Sequence, residues 1–96
     1  MANLVMSSLA VPTAVAAGAG QRTYGYNECG VYVFGTFVQT LQIQVSPDGV
    51  EWFDEGSPFT AKGKLTFTVP AMFVRVNVTV HVSGQATVML VGEDIE

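Results

Sequence analysis

The chain has one cysteine, one histidine and four strong cations in 96 residues, and each shortage closes off a class of function. With Cys29 alone, neither an internal disulfide nor an all-cysteine zinc site can form, so packing has to hold the fold. A lone cysteine at the start of an apolar run reads as a small buried hydrophobe rather than a reactive thiol. His81 has no second imidazole or thiol at ligand spacing, so no metal site is expected. A nucleophilic Ser or Thr would have only this one base, and no Gly-x-Ser-x-Gly elbow is present, so an enzyme is not expected either. Arg22, Lys62, Lys64 and Arg75 are scattered among eight carboxylates, for a net charge of −4. Affinity for a phosphate backbone needs clustered cations that release counterions, which excludes nucleic acid as the expected partner.

Long apolar runs are missing as well. Nothing reaches the eighteen or so residues of a membrane-spanning helix, so no membrane association is expected. Residues 1–20 end in small residues like a secretory signal, but they lack a basic beginning, since the first cation is Arg22, and Pro12 interrupts the apolar stretch. Charge of both signs is scarce: 12% of residues are charged, about half the usual fraction, while 49% are hydrophobic. A small domain has proportionally more surface to cover, so uncharged or apolar patches should face outward, as at an interface. An oligomer or a subunit of a larger assembly is therefore expected; the alternative is a monomer solvated by its Thr, Ser, Gln and Asn side chains.

Helical periodicity is also lacking, and a two-residue repeat takes its place. From Phe73 to Val82, the valines 74, 76, 78, 80 and 82 alternate with Arg75, Asn77, Thr79 and His81, which predicts a strand with one buried wall of five valines and His81 on the polar side. Leu41, Ile43 and Val45 alternate likewise, ending at the turn Ser46-Pro47-Asp48-Gly49, and Val50 to Asp54 returns as a hairpin partner. Leu65, Phe67 and Val69 mark another strand, closed by Pro70, and Ala86, Val88 and Leu90 the last. Leu4 to Val11 reads as an edge strand stopped by Pro12, and Gly35 falls where a bulge or a close backbone approach is expected. The sum is an all-β protein, an antiparallel β-sandwich of seven to eight strands, either jelly-roll or immunoglobulin-like. Residues 1–20 are expected to form a first strand and a flexible arm, 21–92 the sandwich, and 93–96 an acidic tail.

Two clusters merit a chemical reading. Asp48, Glu51, Asp54 and Glu55 could supply paired carboxylates or calcium ligands, but they surround a hairpin turn, and their spacing lacks the alternating oxygen ligands of a calcium loop. They read as solvated turn formers, so no catalytic, cofactor-binding or metal-binding residue is expected. Trp52, Phe53 and Phe59, with Tyr24, Tyr26 and Tyr32, could build a platform for a sugar ring; core packing is the competing reading, with the Trp52 ring folded over the end of the core.

The segment Leu41-Gln-Ile-Gln-Val-Ser-Pro-Asp-Gly-Val-Glu-Trp52, followed by Phe73 to Thr79 and then by Gln85 to Val91, resembles a pattern of small structural proteins of tailed bacteriophages. It covers residues 41–91, about half the chain. Ser46, Asp48, Gly49 and Trp52 are also similar to the Asp-box of sialidase propellers, but one residue is missing between Asp and Trp and the box occurs once, without the repeats a propeller requires. The phage resemblance implies a virion protein made in the host cytoplasm: a capsid decoration or cement protein, trimeric on the capsid exterior, clamping major capsid protein subunits. A tail or baseplate protein, or a carbohydrate-binding sandwich used in host recognition, would share these features. In the cement reading residues 1–20 would order on a neighbour and could be removed without unfolding the domain.

Overall fold

The computed structural model describes residues 3–23, 26–68 and 73–94. No helix occurs among them. Nine strand segments run in chain order: β1 (Asn3–Leu9), β2 (Ala16–Ala17), β3 (Gln21–Arg22), β4 (Tyr26–Phe34), β5 (Phe37–Ser46), β6 (Phe53–Asp54), β7 (Gly63–Thr68), β8 (Phe73–Gly84) and β9 (Thr87–Asp94). They form two antiparallel sheets, ordered β1-β9-β4-β7 (sheet A) and β2-β8-β5-β6 (sheet B), with β3 on the same edge of β8 as β2. Counting β2 and β3 as one interrupted edge strand leaves eight positions. Their order is that of a jelly roll, which decides between the two expected topologies. Pro70 lies outside the described residues.

The spine is a pair of long antiparallel strands that cross from one sheet to the other. β4 pairs with β9 from Tyr26↔Asp94 to Phe34↔Thr87, and β5 with β8 from Phe37↔Gly84 to Ser46↔Phe73. Only Gly35-Thr36 and Gln85-Ala86 separate the two halves, so the ribbon turns a sharp corner. Both sides of the corner need glycine: Gly35 has φ +103° and Gly84 φ +72°. A Cβ on Gly84 would also lie 2.7 Å from the Thr36 carbonyl oxygen. At Gly35 the structure has neither the expected bulge nor the expected close approach: glycine there serves the positive φ of the change of sheet, and a Cβ would meet nothing nearer than 3.6 Å.

Period-two alternation fills the space between the sheets. Cys29, Val31 and Val33 of β4, Leu41 and Ile43 of β5, Val74, Val76 and Val78 of β8, and Val88 and Leu90 of β9 are all buried in one core. Cys29 is the small buried hydrophobe expected; burial, with the Glu28 charge adding to it, pushes its thiol up to about 11, so it is protonated at neutral pH.

The valine strand departs from its reading. Val80 and Val82 are 49% and 68% exposed rather than part of a buried wall. The cause is a pair of bulges. Leu41 pairs with Val78 but Thr40 with Val80, leaving Thr79 extra; Gln39 pairs with His81 but Val38 with Ser83, leaving Val82 extra. The first bulge reverses the alternation, turning Val80 outward with Thr40 and His81 inward with buried Gln39.

The first strand lies at a sheet edge and ends before Pro12, as read, but the stretch after it differs from its reading. β1 runs antiparallel to β9 from Asn3↔Asp94 to Leu9↔Val88, and Leu9 and Val11 are core residues. Beyond Pro12 the chain stays on its own sandwich: Gly18 donates to the Val76 carbonyl at 2.8 Å, Ala16–Ala17 pairs with Val78 and Asn77, and Gln21–Arg22 with Val74 and Phe73. The stretch read as a flexible arm thus completes sheet B. The physical reason is that the outer edge of β8 offers unpaired backbone groups, and small residues can lie close against it. At the other end Glu93 and Asp94 belong to β9, and residues 95–96 of the acidic tail lie outside the described residues.

Candidate functional site

Among the described residues, each group singled out in the sequence has a definite place. The Ser46–Gly49 turn is a closed hydrogen-bond unit: fully buried Ser46 accepts from the Asp48 and Gly49 amides through Oγ (3.2 and 2.7 Å), and Asp48 Oδ1 accepts from Val50 and Glu51 (2.9 and 3.0 Å). The Ser46 hydroxyl donates to Asp48 Oδ1 at 3.2 Å. The Glu51 amide first, then that of Val50, holds the Asp48 carboxyl below its ordinary 3.8. Its folded value is depressed, so this contribution is present above the ordinary Asp range and lost as pH falls through the folded value. A carboxyl-carbon NMR titration should show Asp48 with a midpoint below 3.8; a midpoint at or above it contradicts the geometry.

The other carboxylates do not converge with Asp48. Glu51 is exposed, and Asp54 accepts from Gln44 Nε2 at 3.0 Å on the sheet B surface. The Glu55 amide donates to Ile43 at 2.8 Å. No group of three or more metal-ligating side chains occurs among the described residues. The sequence motif therefore marks a rigid turn, with Gly49 at φ +82° packed on Phe73.

The aromatic residues are dispersed. Trp52 is half-buried on the outer side of sheet B, where the Arg75 guanidinium lies 4.2 Å from its ring centroid and Gly20 approaches its edge. It is neither a lid on the core nor an open sugar platform. Arg75 is itself held by Gln44, at 2.8 Å from Nε to Oε1. Phe59 packs partly on the core, Phe53 is 58% exposed, and Tyr32 lies on sheet A. Tyr26 opens β4, and Tyr24 lies outside the described residues.

The feature that sequence reasoning missed is the corner of the ribbon. Its inner side is tied by Gln39, which is 3% exposed. Gln39 Oε1 accepts from the Ala86 amide (3.0 Å), and Nε2 donates to the Pro12 carbonyl (2.9 Å) and to His81 Nδ1 (2.9 Å). Because the Ala86 amide fixes which end of the Gln39 amide is oxygen, His81 Nδ1 is an acceptor and the ring proton sits on Nε2. The Gln85 side chain adds a bond to the Val11 carbonyl at 2.6 Å.

The outer side of the same corner is apolar. Val38, Val80 and Val82 are 53%, 49% and 68% exposed, within a few register positions of one another. Here sheet B is two strands wide: among the described residues β2 and β3 pair with β8 only at Phe73, Val74, Asn77 and Val78, leaving the far edge of Val80–Ser83 without a strand. Exposed valines beside an open edge are a surface suited to pairing with another chain.

No protein-family model matches the sequence, and a search of curated proteins finds no significant match. Among solved structures, the crystal structure of the SPBc2 prophage-derived protein YomS matches 98% of this chain and 96% of that one, with a TM-score of 0.81 at 15% sequence identity. The two proteins share a fold. Near-complete coverage of both chains means that the whole jelly roll corresponds, including its terminal strands.

Proposed function

We propose that this chain is a non-enzymatic structural protein of a tailed-phage virion, which assembles through the apolar corner of its β5–β8 ribbon. The observation that carries the proposal is the outward turn of Val80 and Val82. Two bulges place them in solvent beside Val38, against a strand edge without a partner among the described residues, on a protein with unusually little charge. A monomer gains nothing from this arrangement, whereas a partner strand or apolar surface docking there would bury all three side chains and satisfy free backbone groups. The prophage origin of a protein with the same fold, together with the phage-like pattern over residues 41–91, supports a virion setting.

Within that setting we favour a capsid decoration protein, trimeric on the outer shell and bridging major capsid protein subunits. The clamp in this reading is the ribbon corner. The amino-terminal segment pairs within its own sandwich, which supports the corner over that segment as the contact. The test is co-sedimentation of the purified protein with capsid shells that lack it. Wild type should pellet with shells, and a Val80→Lys/Val82→Lys variant should stay in the supernatant with an unchanged melting temperature, because both side chains lie outside the core. Binding to isolated tails instead of shells would move the protein to the tail. Equal binding by wild type and variant would contradict the corner as the contact.

A further inference from the structure

A second surface, on sheet A, has the features of a ligand site. We infer that the hollow between the ends of β4 and β7 binds an acidic saccharide, a sugar ring carrying a carboxylate or phosphate.

The hollow has a volume of about 680 Å³ and is walled by Tyr32, Phe34, Lys62 and Lys64. Gly35 and Gly63 line it. Gly63 is the register partner of core Val33, and a Cβ there would point inward, 2.9 Å from the Phe59 ring, so glycine is required on the core side of this strand. Gly30 lets the Tyr32 ring lie down over the sheet, since a Cβ there would sit 3.3 Å from Tyr32 Cε1. The ring leans toward Gly30 and borders the hollow on that side.

The chemistry is two-sided. Tyr32 and Phe34 alternate outward on β4 and are 40% and 42% exposed, presenting apolar ring surface to solvent. Lys64 is the register partner of Tyr32, and Lys62 precedes Gly63, which pairs with Val33. The aromatic row and the ammonium row therefore run side by side on adjacent strands, about 4.8 Å apart. These lysines are two of only four strong cations on a chain of net charge −4, and neither is ion-paired among the described residues. An acidic saccharide matches this pattern: one ring face covers an aromatic side chain while the anionic group reaches an ammonium. An acidic peptide lacking apolar side chains would satisfy the lysines but leave the aromatic surface uncovered.

The hollow reaches the ribbon corner at Gly35, but the variants that test it, at Tyr32, Lys62 and Lys64, leave Val38, Val80 and Val82 unchanged, so this proposal and the assembly proposal fail separately. Backbone amide shifts of the full chain would be followed on addition of trigalacturonate, mannose 6-phosphate, neutral maltotriose or inorganic phosphate. Saturable shifts at Tyr32, Gly35 and Gly63 are expected with one or both acidic sugars, and the two arms separate a carboxylate from a phosphate ligand. Lys62→Gln/Lys64→Gln, at exposed positions, should weaken that binding by roughly tenfold with an unchanged fold; Tyr32→Ala should weaken it too. Three results would overturn the inference: no saturable shifts with either acidic sugar, equal response to maltotriose or to inorganic phosphate, or undiminished binding by the double lysine variant.

Discussion

Removal of residues 1–11 is expected to leave a chain that does not fold. The deletion takes away β1, which covers the outer side of β9 along its length, and strips Leu9 and Val11 from the core. Full burial of an aliphatic side chain of this size contributes about 1.5–3 kcal/mol, and the exposed flank of β9 would lose its backbone partners as well. Val11 also supplies the carbonyl that the Gln85 side chain holds at the corner. Together these losses rival the roughly 5–15 kcal/mol by which domains are stable. Circular dichroism of the truncated protein should show no cooperative melt, while Met6→Lys, at a side chain 68% exposed on the outer side of β1, should melt like wild type. A truncated protein that melts cooperatively within a few degrees of wild type would mean that the segment is a detachable arm.

Gln39→Ala should be the most damaging single polar substitution. One amide bridges three elements: the segment after β1 through the Pro12 carbonyl, the turned-in His81 of β8, and the Ala86 amide where the chain enters β9. Alanine leaves the buried Ala86 N–H and the Pro12 carbonyl without these partners, and it opens a gap at the point where both long strands change sheets. A loss of about 3 kcal/mol is expected, which for a domain of this size lowers the melting temperature by about 12 °C or more. Gln44→Ala is the internal comparison. It lies on the same strand but bonds Arg75 and Asp54 on the outer surface, and should cost less than about 1 kcal/mol. Similar losses for the two variants would contradict the bridging role of Gln39.

The two-sheet architecture was legible because it rests on local pattern. Alternation in Leu41–Val45, Val74–Val78 and Ala86–Leu90 reports which side chains face the core, and these residues do so. The jelly-roll order was not legible, since strand order depends on which edges meet in space and no local signal encodes that. Val80, Val82 and His81 were misplaced for a related reason. A bulge adds a residue to one strand relative to its partner, and Thr79 carries no mark of being extra until Leu41 and Thr40 are seen to pair with Val78 and Val80. The same limit hid Gln39, a polar residue in an apolar strand whose three partners come from positions 12, 81 and 86. The amino-terminal stretch misled in a different way. Thr13 to Gly20 has the composition of a linker, yet small side chains equally suit a strand segment lying flat on an edge, and composition cannot separate the two. Of the candidate sites, the Ser46–Asp48 turn was visible as turn chemistry, whereas the valine corner and the Tyr32–Lys64 hollow needed the pairing of distant strands.

In the proposed function the outward valines connect fold to assembly, because another chain would cover them. Light scattering of wild type and of Val80→Lys/Val82→Lys across a concentration series tests that connection most directly. Wild type is expected as an oligomer, at three times the 10.2 kDa chain mass for the trimer, and the variant as a folded monomer. A wild-type protein that stays at 10.2 kDa at every concentration, or a variant that associates as wild type does, would contradict assembly through the corner.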